Sequence, residues 1–324
     1  MDSINEVIHD LDTFRTGYLY RQGFIFAPIV ESNIYNAVVI RHPIDCPLWS
    51  PKYGFSEHSL EDHIQFINQY KLERAIVIAE DISFITRCPS LQYLNIIPAD
   101  TAPDKFDYSP LYNMPCIKHL SCTTAYGGPR EHLSTTLDYS RIHGLTNIHV
   151  SGKGHLNYHI VDTLGELDIS KDKYHMDLTS LCSSSRLKQL RIFQCAIQSL
   201  QGIDHLDDLQ ELNLEHLRSL HDISPLSSAA DSLHALTIEN CPKITDFSVL
   251  ERMVNLEHLC LLGSNTLPDL QHLNNMKRLK TFSFSMNVQN GDLTPCLNVP
   301  FACSLKNRKH YNLRDTDLPK KYEV

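Results

Sequence analysis

His155 and His159 stand four residues apart, the spacing that puts two imidazoles on one face of a helix and could offer a transition metal two nitrogen ligands. The surrounding SGKGHLNYH reads as loop, however, and no further ligand is paired with them. With 18 histidines in the chain, a surface coincidence explains the pair better than a zinc site. The same SGKG could cradle a phosphate on its amides, although ordinary loop glycines account for it without a ligand. Glu61, Asp62 and His63 bring acid–base groups together, on what reads as the solvated side of an amphipathic helix. GxSxG, HExxH, GxxxxGK[ST] and a GxGxxG following a strand are all missing. No residue is therefore assigned a catalytic or metal-binding role, no cofactor is expected, and the chain reads as a non-enzyme.

Composition narrows the classes further. The 324 residues carry 29 Lys and Arg against 38 Asp and Glu, a formal −9. That balance argues against nucleic acid, because a phosphate backbone demands a basic footprint. No uninterrupted apolar run of membrane-spanning length occurs. The opening MDSINEVIHDLDTF places acids where a signal peptide needs a basic stretch and a long apolar core, so a cytoplasmic location is expected. None of the ten cysteines forms a CxxC pair, and buried reduced thiols are expected rather than disulfides or metal.

The elements that must carry any site are repeats. LKQLRIFQC, LQELNLEHL, LHALTIENC, LEHLCLLGS and LKTFSFSMN begin at Leu187, Leu209, Leu233, Leu256 and Leu279, at spacings of 22, 24, 23 and 23 residues. Looser copies begin at Leu72, Leu91, Ile117, Leu145 and Leu164. A second apolar set precedes the anchors at constant offsets: Ile197, Leu200 and Ile203, then Ile244, Phe247 and Leu250, then Leu267, Leu270 and Leu273.

This comb resembles the leucine-rich repeat family, whose pattern is L-x-x-L-x-L-x-x-N/C-x-L, in its 22- to 24-residue, internalin-like class, which suggests a bacterial source. Cys195, Cys241 and Asn287 fall at the Asn/Cys position. Leu217 and Ser264 depart from it, and the copies before Leu187 lose it almost entirely, which predicts irregularity there. The resemblance implies an α/β repeat solenoid with a parallel β-sheet on the concave face and short helical or irregular segments on the convex face. The expected organisation is an N-terminal cap over 1–71, about ten repeats over 72–287 and a C-terminal cap or tail over 288–324. The first cap is expected to hold a strand at 36–40, a proline-rich loop through Pro43, Pro47 and Pro51, and a helix over 59–70 capped by Ser59 with Asp62. Terminal caps are needed because stacked turns leave an open core at each end.

Strand alternation sends Leu190 and Ile192 inward and their neighbours outward. The outward set runs through neutral groups at Tyr93, Asn95, Ile97, His119, Ser121, Thr123, Asn147, His149 and Ser151. It then reaches Glu166, Asp168, Arg191, Phe193, Glu211, Asn213, Glu215, Glu239 and His258. Five acids against one arginine, beside Phe193 and Leu262, suit a protein partner with a basic surface, since complementary charge steers encounter while apolar anchors supply a desolvated centre. The same acids would also serve solubility alone. Three function classes follow: a non-enzymatic protein-binding module, including a cytosolic inhibitor or immunity protein for a basic toxin; a regulatory or substrate-recognition subunit; and an enzyme with a site in the N-terminal cap, for which no constellation speaks.

Overall fold

The computed structural model describes residues 19–21, 24–28, 35–42, 58–99, 101–103, 105–122, 136–152, 154–181 and 183–321. The proline-rich loop, Trp49, Thr123, Lys153, Cys46, Cys182 and the opening 14 residues lie outside them. Packing divides the chain into two compact units, Met1–Tyr158 and His159–Val324. The division falls inside the stretch read as repeats.

The first unit begins with strands β1 (Leu19–Arg21), β2 (Phe24–Pro28) and β3 (Tyr35–His42), paired antiparallel. The expected strand at 36–40 lies within β3. From β3 onward the ladder is parallel, through β4 (Arg74–Ala79), β5 (Tyr93–Pro98), β6 (His119–Cys122) and β7 (Asn147–Ser151). Helix α1 (Leu60–Tyr70) joins β3 to β4 and starts where its capping box dictates. The Asp62 N–H donates to Ser59 Oγ at 3.2 Å, and the Ser59 N–H donates to Asp62 Oδ2 at 2.9 Å. These bonds satisfy donors that the first helical turn leaves without partners. Ile64, Phe66 and Ile67 are buried, with Phe66 stacked on Phe24 at a centroid distance of 4.1 Å.

The second unit is a regular parallel ladder: β8 (Glu166–Ser170), β9 (Gln189–Phe193), β10 (Glu211–Glu215), β11 (Ala235–Glu239), β12 (His258–Leu262), β13 (Thr281–Phe284) and β14 (Phe301–Ser304). The register stacks equivalent positions, so that Leu190, Leu212, Leu236, Leu259 and Phe282 lie side by side. All five strong anchors, Leu187 to Leu279, are buried, as are the nine residues of the second apolar set. One short strand cannot bury its apolar face alone, whereas stacked copies make a continuous core.

Two backbone devices recur with the repeat. Strands β8 to β12 are each left through a residue in the left-handed region: Lys171 (φ 58°), Gln194 (54°), His216 (55°), Asn240 (52°) and Gly263 (132°). The first four each donate their N–H to the carbonyl of the next strand's last residue, for example Gln194 to Glu215 at 3.0 Å. Before most of the 3-10 turns on the opposite side, a side-chain oxygen accepts the amide two residues on. Asp177, Asp222, Asp246, Asp269 and Asp292 do so at 2.8–3.0 Å, and Ser199 does so through its hydroxyl at 3.1 Å. Such side-chain to backbone bonds favour a turn over continued strand.

The Asn/Cys position needs two corrections. Cys195 and Cys241 do fill it, their thiols donating to Ile169 O and Leu214 O at 3.5 Å. Burial pushes these thiols up, to about 12 and about 11. Ser264 does not fill it. Asn265 does, buried and donating through Nδ2 to Cys241 O and Ile244 O at 2.9 Å, because the Gly263–Ser264 turn inserts a residue. The next copy is shorter: Thr266 pairs with Asn287, so Met286, fully buried, sits opposite Asn265, and Asn287 lies one place beyond. The copy at Leu164 carries neither Asn nor Cys there, and Asp172 takes the place instead, buried, with a carboxylate oxygen accepting the Tyr174 N–H at 2.7 Å.

The ladder also runs past Asn287, through β14. Residues 305–321 then fold over the outer edge of that strand. The Ala302 N–H donates to Pro319 O at 2.9 Å, the Lys321 N–H to Pro300 O at 3.0 Å, Lys320 Nζ to Ala302 O at 2.6 Å and the Ser304 N–H to Asp315 Oδ1 at 2.7 Å.

Candidate functional site

The solvent side of β8–β12 carries the residues expected to bind a partner. Glu166, Asp168, Arg191, Phe193, Glu211, Asn213, Glu215 and Glu239 are half-buried, and His258 is exposed. Long polar side chains lie against one another there rather than standing free. Arg191 spans three strands. It meets Asp168, directly opposite on β8, at 3.0 Å, and grips Glu215, diagonally placed on β10, through Nε and Nη2 at 2.8 and 2.6 Å. A two-pronged guanidinium–carboxylate contact fixes geometry as well as charge. Its carbon lies 5.2 Å from the Phe193 ring centroid, and His216 meets that ring edge-on at 5.5 Å. Phe193 is thus partly covered by its neighbours.

The guanidinium is bound to two of the five carboxylates. Glu211 accepts from the Asn213 amide at 2.9 Å, and Glu239 faces His216 Nε2 at 3.6 Å. Beside Glu211 the strand residues become short, and a shallow depression of about 300 Å³ opens, lined by Asn213, Ala235, Thr237, Cys260 and Ser283 with Glu211 and His258 at its sides. His258 Nδ1 lies 2.9 Å from Thr281 Oγ1. The hollow follows from register, since Ala235 is flanked by Glu211 and His258 on adjacent strands.

The other candidate groups are occupied locally. His155 is bonded to the Tyr139 hydroxyl at 3.0 Å and to the Ser151 backbone, in a short strand (His155–Leu156) rather than a helix. Asp62 is used by the capping box, and His63 is buried with Nδ1 against Ser59 O at 2.8 Å. Among the described residues no group of three or more His, Cys, Asp or Glu is placed to hold a metal, and no helix is long and apolar enough to cross a membrane.

Residues 184–287 match the model of the leucine-rich repeat domain of the endo-β-N-acetylglucosaminidase EndoS. No curated protein matches the chain. Similar solved structures include an internalin of Listeria monocytogenes, 18% identical, with 74% of this chain and 76% of that one covered and a TM-score of 0.46. Internalin C2 of the same organism is 18% identical over 54% and 73% of the two chains, with a TM-score of 0.38. A leucine-rich repeat protein of Leptospira interrogans is 14% identical over 78% and 60%, with a TM-score of 0.41. The family match over 184–287 coincides with the in-register copies of strand, left-handed exit and 3-10 turn, and this stretch is a leucine-rich repeat array.

Proposed function

We propose that the chain is a non-enzymatic protein-binding module whose exposed sheet face, from Glu166 to Glu239, receives a partner with a basic surface. The supporting observation is the charge left on that face by the Asp168–Arg191–Glu215 clamp. One guanidinium serves two carboxylates, Glu211 stands at the side of a depression floored by short side chains, and Glu239 lies farther along the same face beside His216. A Lys or Arg side chain entering there would meet carboxylate without displacing bulk, and complementary charge of this kind acts chiefly on association rate and specificity. Inhibition of a basic toxin inside the cell is the narrower form of the same reading.

The test begins with partners captured from native lysate and proceeds to binding kinetics on the purified pair. The variant Glu211→Lys/Glu239→Lys leaves the Arg191 clamp and the core untouched. It is expected to slow association and reduce its salt dependence. Phe193→Ala is expected to speed dissociation. Unchanged kinetics in both variants refute a role for this face.

A further inference from the structure

Charge in the second unit is divided along the chain. Residues 159–276 hold eight Lys and Arg against seventeen Asp and Glu, a formal −9, whereas residues 277–321 hold nine against three, a formal +6. The basic stretch comprises the last two strands and the tail that folds over them, so its cations are carried on ordered backbone. Lys280 and Arg278 share Glu257 at 2.6 and 3.8 Å, and Lys320 pairs with Asp315 at 2.8 Å. Lys277, Lys306, Lys309, Arg314 and Lys321 are exposed and make no ion pair among the described residues. The unit therefore displays a basic end and, on β8–β11, an acidic sheet face.

We propose that this basic end docks onto the acidic sheet face of a second copy of the same chain. The proposal rests on the reading of that face as a receptor for basic surfaces, and it names a partner the chain itself supplies. Complementarity favours this occupant over a polyanion. A nucleic acid or anionic bilayer would set a continuous run of phosphates against the basic end and against the neighbouring stretch of formal −9 as well, whereas the sheet face of another copy presents carboxylates over a limited area. Because the two surfaces differ, the contact is head-to-tail and leaves one of each free, so copies add in series rather than closing as a symmetric pair. The chain's net −9 opposes approach at long range, so contact depends on local complementarity and on protein concentration.

Sedimentation velocity of the full chain over a concentration series tests this. The wild type is expected to form species that grow with concentration and dissociate as salt rises from about 0.1 M to about 1 M, where the screening length falls from about 10 to about 3 Å. Lys306→Glu/Lys309→Glu/Lys321→Glu removes the basic end, and Glu211→Lys/Glu239→Lys removes the acidic face. Each variant alone is expected to be monomeric with an unchanged melting temperature. Mixed one to one they are expected to associate again, since the intact face of the first meets the intact end of the second. A wild type that stays monomeric throughout overturns the proposal while leaving binding of a foreign basic protein to the sheet face unaffected. Self-association that survives Glu211→Lys/Glu239→Lys overturns it and counts against the sheet-face reading too. A monomeric wild type that retains duplex DNA or phosphatidylserine vesicles, with retention lost in the triple variant, overturns it in favour of a polyanion.

Discussion

Leu236→Ala tests whether the stacked comb supports the second unit. Leu236 is 1% exposed and lies in register between Leu212 and Leu259, so truncation removes atoms touching two neighbouring turns. Three carbons are lost, and at about 0.8 kcal/mol per buried methylene the transfer loss is about 2.4 kcal/mol. The cavity adds to this because flanking strands held by ladder hydrogen bonds cannot collapse onto it freely, which brings the expected cost to about 3–4 kcal/mol. For a cooperative unit of this size each kcal/mol moves the melting temperature by about 2–4 °C, giving a fall of about 6–16 °C. Urea unfolding followed by far-ultraviolet circular dichroism measures the free energy, and a thermal melt measures the shift. Thr237→Ala, one residue on and half-buried on the sheet face, is the control and is expected to cost under about 0.5 kcal/mol. Equal losses in the two variants, or a loss below about 0.5 kcal/mol for Leu236→Ala, would show that the period-two alternation does not define the core.

Other substitutions probe the recurring devices. Gln194 adopts φ 54° at the strand exit, so Gln194→Gly is expected to be neutral or mildly stabilising, while Gln194→Val is expected to cost about 1–2 kcal/mol in urea melts. Arg191→Ala leaves Asp168 and Glu215 without their shared cation. These side chains are only partly shielded, at 25% and 18% exposure, and a loss of about 1 kcal/mol in urea melts is expected, shrinking as added salt screens the cluster. Hydrogen bonds from the residue two places on hold the Asp177, Asp222, Asp246 and Asp292 carboxyls below their ordinary 3.8. Depressed folded-state values mean that this stabilisation is complete above the ordinary value and is lost as pH falls through the lower, folded ones. Urea midpoints should therefore stay flat down to about pH 5 and decline below about pH 4, and Asp222→Ala should make that decline shallower. An acid profile identical to that of the wild type would exclude a contribution from the turn.

The anchors from Leu187 to Leu279 were legible in sequence because a strand that shows one face to the core repeats its apolar residues at fixed offsets. The exchange of Ser264 for Asn265 was hidden, because an inserted residue at Gly263–Ser264 and a shorter following copy leave the anchor spacing at 23. The turn signal was present in the letters, as Asp-x-Ser or Asp-x-Thr at 177, 222, 246 and 292, and it could have been found by applying the repeat period to polar residues as well as to leucines. Arg191 was legible as an exposed cation. Its diagonal reach to Glu215 was not, because that contact depends on side-chain conformation across strands. A whole-chain charge of −9 likewise averaged away the basic end.

The tail over β14 occupies outward-facing groups of that strand, from the Pro300 carbonyl to the Ser304 amide. An uncovered parallel strand is a template for any other strand with free backbone groups. By occupying that template, residues 305–321 make the number of turns finite. Duplicating a copy upstream of β14 would lengthen the array without altering its last surface, whereas deleting the tail would convert a terminated stack into a growing end, prone to fibre formation independent of charge.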